Sequence, residues 1–274
     1  MSRWTATLPM YNVTPQHGRL WRALLRDALE AFARAGGPGD FVILEEAPDE
    51  LMPLWRRPDL LLSQTCGFPY RMLGLQEAVH LVATPVFDAE GCEGAHYRSA
   101  IAVSAAAWAR GATTLAACRG LRAACNGKDS HSGMNALRHA AAPLARDGRF
   151  FSSLIWTGSH LNSLLALSAE AADIAAIDCV TLAFLRDACP EKLRDVKIIG
   201  MTALAPGLPF IASRALGDRL GALLFDALES ARQADAGRAR SLRLHGFARL
   251  ASSDYAPIEQ MAQFAAELGY GELR

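Results

Sequence analysis

The chain has 274 residues, 51% of them hydrophobic and 20% charged, enough to bury the core of one large domain or two ordinary ones. Lys plus Arg equals Asp plus Glu at 28 each, giving a formal net charge of +0. That balance excludes a global basic field for nucleic acid or an anionic membrane, so any anion recognition must be local. No run approaches the ~18 consecutive apolar residues of a membrane span. The opening eleven residues hold no long apolar stretch, so the sequence as it stands reads as cytoplasmic, and as periplasmic if a leader has been removed. The six cysteines (Cys66, Cys92, Cys118, Cys125, Cys179, Cys189) show no C-x-x-C and no zinc-type spacing. They read as small hydrophobes in a reducing compartment, with no metal or cofactor implied.

Short β-rich runs alternate with amphipathic segments, which predicts α/β architecture with mainly parallel strands. Residues 3–10 read as a first strand. A helix follows over 15–35, with Leu20, Leu24, Leu25, Ala28, Leu29 and Phe32 at helical spacing, Pro15 near its start and Gly36-Gly37 beyond its end. Strands are expected at 41–44, 60–63 and 80–85, then at 97–103, 121–125, 153–157, 173–178 and 196–202. Helices are expected from about 132 to 145, from 160, up to 188, over 218–234 and near 257–268.

The most informative stretch is Asn126-Gly-Lys-Asp-Ser-His-Ser-Gly-Met. A strand leads into a polar turn, and Ser130, His131 and Ser132 fall where a helix begins, with Gly133 leaving the backbone open. The first N–H groups of a helix lack internal partners and carry partial positive charge, so hydroxyls and an imidazole beside them suit an oxyanion. A plain N-cap accounts equally well for a serine at such a turn. Thr157-Gly158-Ser159-His160 repeats the pattern about 28 residues later. Two such turns predict an anion clamped by two helix N-termini.

These turns, followed by Asp173-Ile-Ala-Ala-Ile-Asp178, the Ala205-Pro-Gly-Leu-Pro-Phe loop and the Gly246-Phe…Asp254-Tyr segment, resemble the phosphate/phosphite/phosphonate-binding family of ABC-transporter substrate-binding proteins. The resemblance spans most of the chain. It implies a two-lobed type-2 periplasmic-binding-protein fold, α/β, each lobe a mixed, mostly parallel sheet flanked by helices, with a ligand cleft between lobes. Lobe 1 would comprise 1–86 plus 199–274, and lobe 2 would comprise 87–198. By position the resemblance places Ser130, His131, Ser132, Ser159 and His160 on a small-molecule oxyanion. It puts Tyr11 and Tyr97 on the opposite wall and makes Asp178 an acidic position near the ligand.

Gln64, Thr65 and Cys66 follow the third strand at its ligand-facing end, and Thr65 is the candidate contact there. Tyr11 and Tyr97 also read as half-buried aromatics, Asp178 as a helix N-cap, and Cys66 as a packing residue. In aminophosphonate binders a carboxylate in the segment matching Pro206–Pro209 meets the ligand's ammonium; here Leu208 stands in that segment. The ligand is therefore expected to lack a cationic amine, or to rely on Asp178 alone. The implied role is non-catalytic solute binding for ABC-type transport, with a permease as partner. Two alternatives stand beside it: a cytoplasmic enzyme on the same scaffold, as in the futalosine route to menaquinone, and a ligand sensor.

Overall fold

In the computed structural model, which describes residues 3–274, the chain alternates strands and helices largely as the hydrophobic pattern predicts. The strands are β1 (Trp4–Thr7), β2 (Phe41–Ile43), β3 (Leu60–Gln64), β4 (Val79–Phe87), β5 (Cys92–Glu93), β6 (His96–Tyr97), β7 (Ser99–Ser104), β8 (Arg122–Cys125), β9 (Ser153–Trp156), β10 (Ile174–Asp178), β11 (Val196–Met201), β12 (Ala205–Pro206), β13 (Phe210–Ser213) and β14 (Leu244–Ala248). The α-helices are α1 (Pro15–Arg34), α2 (Leu51–Trp55), α3 (Gly67–Met72), α4 (Ala105–Ala109), α5 (Ala136–Ala141), α6 (His160–Ser168), α7 (Cys179–Ala188), α8 (Asp218–Ala234), α9 (Ala236–Ser241) and α10 (Ala256–Glu267).

Helix α1 shows how sequence becomes structure. Thr14 caps it by accepting the His17 N–H, and Pro15 sits at the first helical position, where no amide donor is needed. Trp21, Leu24, Leu25, Ala28, Leu29 and Phe32 form one stripe, and all are buried. Trp21 meets Phe87 and Phe210 edge to face, each with 6.3 Å between ring centroids.

The described residues form two compact units: the chain up to Asp88 with Pro206–Tyr255, and Ala89–Ala205 with Ala256–Arg274. In the first unit a sheet runs β14-β4-β13-β3-β1-β2. Strand β1 is parallel to β2 and β3, while β13 and β14 pair antiparallel with β4. In the second unit the order is β11-β7-β10-β8-β9. There β8 is parallel to β9 and β10, and β7 is antiparallel to β10 and β11. The parallel pairs are those built through helical crossovers, which the alternation of strand and helix predicts. The antiparallel pairs in these two sheets form between strands far apart in the chain, such as β4 with β13 and β7 with β10, so the sheets are mixed and less parallel than expected.

The unit boundaries differ from the sequence-based division. Residues 199–205 and 256–274, expected with the first unit, belong to the second. Strand β11 stays paired with β7 through Met201 opposite Ala100. Helix α10 packs on the second unit and gives it the Ile258 carbonyl, which accepts a hydrogen bond from Asn135.

Candidate functional site

The second unit holds the Ser-His-Ser turn. Strand β8 ends at Cys125 and the chain turns through residues 126–129 to Ser130, whose backbone is extended. The Ser130 Oγ accepts the Gly133 N–H at 3.0 Å, an N-cap bond. Residues His131–Asn135 then make one π-helical turn, closed by the Asn135 N–H donating to the Ser130 carbonyl at 3.1 Å, before α5 begins. Single π turns inside helices recur at functional sites. Apart from Gly133, whose amide Ser130 caps, the amides at the start of a helix lack an intrahelical acceptor.

Strand β9, parallel to β8 and next to it, delivers the second turn. Gly158 takes φ +82°, where a side chain would be strained. Ser159 caps α6 by accepting the Asn162 N–H at 3.1 Å, and His160 is the first helical residue. The two turns meet: Ser132 Oγ and His160 Nε2 lie 2.8 Å apart, and Ser130 Oγ stands 3.4 Å from Ser132 Oγ. Ser130, His131 and Ser132 are all buried.

A hydrogen-bond chain behind the turn fixes the tautomer of His131. Asn135 is fully enclosed; its Nδ2 donates to the Ile258 carbonyl at 3.0 Å, and its Oδ1 accepts from Arg138 Nη2 at 2.7 Å. A carbonyl only accepts and a guanidinium only donates, so the amide has one possible orientation. The same Nδ2 faces His131 Nδ1 at 3.1 Å, which must then be the acceptor. The ring proton sits on Nε2, and His131 offers a donor there.

Both histidines are neutral at pH 7. Burial, reinforced by His139, pushes the His131 pKa down to about 3. Burial brings His160 to about 4, partly offset by the Ala176 backbone, which favours the charged form. Both lie below the unfolded value, so on acidification the unfolded chain takes up these protons first. Stability is therefore complete above about pH 6.5 and falls as the pH drops toward 4, by up to ~1.4 kcal/mol per pH unit for each histidine. In chemical denaturation between pH 7 and 4.5, His131→Gln should show the shallower loss of stability. A slope equal to that of the wild type would contradict a buried neutral ring.

Tyr97, on β6, is buried with its ring 6.2 Å from that of His131. Asp178 ends β10 and caps α7: its Oδ1 accepts from Val180 N at 2.8 Å and Thr181 N at 3.0 Å. That oxygen serves the helix, as the capping alternative anticipated. Asp173, at the other end of the same run, binds Arg122 through two hydrogen bonds of 2.9 and 3.0 Å and reaches Arg110 at 3.0 Å. The Arg122 hydrogen bonds hold its carboxyl below the usual carboxylate range.

The remaining candidates belong to the first unit. Tyr11 is buried at φ +63° and packs edge to face on Phe87 at 5.2 Å. A bulky aromatic in the left-handed region is strained, and such residues cluster at functional sites. Thr65 is fully enclosed, with its Oγ1 donating to the Cys66 carbonyl at 3.2 Å and its amide to Pro209 O at 3.0 Å. Gln64 donates to the Leu208 carbonyl at 3.1 Å, and Cys66 and Leu208 are buried.

Two residues escaped the sequence reading. Asn135 positions His131; its i+4 spacing from that histidine is the signal that was there to use. Asn126 presses its Oδ1 against Gly133, so that a Cβ at residue 133 would lie 1.9 Å from it; nothing in the sequence indicates this approach. Among the described residues no group of three or more His, Cys, Asp or Glu is placed to hold a metal ion. Nor is any of their helices long and apolar enough to cross a membrane.

The fold is that of the type-2 periplasmic binding proteins. A binding-protein component of an ABC phosphonate transporter from Pseudomonas aeruginosa superposes with a TM-score of 0.78 at 17% identity, covering 97% of this chain and 87% of that one. PhnD1 from Prochlorococcus marinus, in complex with methylphosphonate, gives 0.74 at 14% identity over 97% and 98%. A Xanthomonas citri protein bound to ATP gives 0.69 at 17% over 98% of both chains. No curated protein matches the chain in sequence. Residues 58–255 match the family described as ABC transporter, phosphonate, periplasmic substrate-binding protein, and the chain belongs to that family.

Proposed function

We propose that this protein binds a small tetrahedral oxyanion of the phosphonate, phosphite or phosphate class at the Ser130–Ser132 turn and passes it unchanged to an ABC permease. The observation that carries the reading is the 2.8 Å contact between Ser132 and His160, which joins two helix starts rich in donors. The neutral Nε2–H of His131, the hydroxyls and the first-turn amides add donors without adding charge. Charge-assisted hydrogen bonds to an anion are stronger than neutral ones, and desolvation strengthens them further. Family membership and the methylphosphonate complex of PhnD1 support the ligand class. Membership in a family of binding proteins supports binding without chemistry.

Thermal unfolding with methylphosphonate, phosphite, phosphate or sulfate tests this reading. At a hundredfold excess over Kd, a cognate oxyanion should add about 2.7 kcal/mol of stability. Ser132→Ala should weaken binding at least tenfold, since a hydrogen bond to a charged group is worth ~1.5–3 kcal/mol. Phosphorus NMR of the methylphosphonate mixture should show no product. Stabilisation by none of the three phosphorus oxyanions, or by sulfate alone, would sink the reading, and turnover would move the protein to the enzyme class.

A further inference from the structure

Cys92 and Cys179 lie in the same unit with their sulfurs 3.5 Å apart, 87 residues distant in sequence. Cys92 is part of β5 and pairs across a short hairpin with Tyr97 on β6. Cys179 directly follows Asp178 and opens α7. The backbone ties the two segments together: the Cys179 amide donates to the Arg98 carbonyl at 3.2 Å, and the Arg98 amide donates to the Gly91 carbonyl at 3.0 Å.

Gly91 is a second, independent sign that this approach is built in. It takes φ +98°, and a Cβ there would lie 3.0 Å from the Cys179 Cβ and 3.3 Å from its Sγ. Only a glycine lets the hairpin close this tightly on the helix start. The surroundings of two other thiols differ: Cys118 donates to the Thr114 carbonyl and Cys125 to the Gly133 carbonyl.

We propose that Cys92 and Cys179 are a disulfide-forming site, oxidised by thiol–disulfide exchange with a small or protein disulfide. Cys92 is half-buried and Cys179 is 2% exposed, so the first attack falls to Cys92. Its thiolate attacks one sulfur of the oxidant, the oxidant's S–S bond breaks, and a thiolate leaves. Cys179 then gives its proton to solvent and its sulfur attacks Cys92, displacing the second thiolate. Two protein thiols are oxidised and one external disulfide is reduced to two thiols. In the dithiol form the hydrogen bond to Cys92, with burial, raises the Cys179 pKa, so the buried thiol holds its proton while Cys92 reacts. The new bond fastens the hairpin that carries Tyr97 to the helix capped by Asp178. It therefore also sets the spacing of Tyr97 and Asp178, two residues that the family resemblance puts near the ligand.

Incubation of the native protein with glutathione disulfide, followed by alkylation and non-reducing peptide mapping, decides the matter. The expected result is a single cross-linked peptide pair joining Cys92 and Cys179 and a thiol count lower by two. The oxidised protein should melt several degrees higher, because a long loop is closed in the unfolded chain, and Cys92→Ser and Cys179→Ala should each lack that rise. A Cys92–glutathione adduct that never resolves, or linkage through other cysteines, would overturn the proposal. Neither outcome depends on which anion is bound, so failure here is separable from failure of the binding reading.

Discussion

Replacing Gly133 by alanine should abolish ligand binding at concentrations that saturate the wild type. The added Cβ would stand 1.9 Å from Asn126 Oδ1, 2.9 Å from Asn126 Cγ and 3.3 Å from His160 Cε1. No contact below 3.0 Å can persist, so either the Asn126 amide or the π turn must move. A shift of the turn displaces Ser132 from His160, and with it the bond that unites the two helix starts. Overpacking of this kind costs ~1–3 kcal/mol of stability. Loss of affinity should exceed that of Ser132→Ala and reach about 100-fold, or ~2.7 kcal/mol. Titration calorimetry reads the affinity, and thermal unfolding reads the stability. Adding Asn126→Ala should recover most of the stability and only part of the affinity. Binding by Gly133→Ala within twofold of the wild type would show that the ligand does not use this turn.

Asn135→Leu should be the more damaging change to stability. Leucine fills similar space but breaks three hydrogen bonds: to the Ile258 carbonyl, to one guanidinium nitrogen of the half-buried Arg138 and to His131 Nδ1. Loss of the bond to the buried His131 ring costs ~1–3 kcal/mol and each of the other two ~0.5–1.5 kcal/mol, so the sum is about 4 kcal/mol. For a chain of this size that lowers Tm by roughly 10 °C. Circular dichroism melts would show it, and a fall of less than about 2 °C would mean that the chain from Arg138 to His131 contributes little. Asn135→Asp keeps the shape and the Arg138 contact but presents an acceptor to His131 Nδ1. Ring nitrogen shifts in NMR should then report a proton moved to, or added at, Nδ1.

Much of the architecture follows from periodicity. Helix α1 shows its buried stripe and its capping signals in the sequence, and α8 spans the predicted 218–234. Helices α2, α3 and α4, of five or six residues, are too short to display a period and were not anticipated. The unit to which α10 belongs could not be read from local pattern either. Its placement rests on packing against α5 and on a main-chain carbonyl offered to Asn135, and neither leaves a mark in the hydrophobic pattern of α10 itself.

For the site, the repeated order of strand, glycine, hydroxyl and imidazole identified the residues that the parallel pairing of β8 and β9 brings together. What the sequence could not separate was a cap from a contact. Ser130 and Asp178 both accept backbone amides at helix starts, yet one leads a turn joined to His160 and the other heads α7. Thr65 shows the opposite difficulty. Its hydroxyl donates to the neighbouring Cys66 carbonyl, a local bond that the residue type at a strand end does not announce.

The π turn at His131–Asn135 also sets a rotational phase. It places one residue more between the capping serine and the rest of the helix than an α-turn would hold. Each residue of an α-helix advances about 100° around the axis. Shortening this segment by one residue would restore regular α-geometry and swing Ser130, His131 and Ser132 by about that angle relative to Asn135 and Arg138. The serines would no longer face His160 while Asn135 kept its hold on α10. Length, as much as residue identity, keeps Ser130–Ser132 and their supporting network in register.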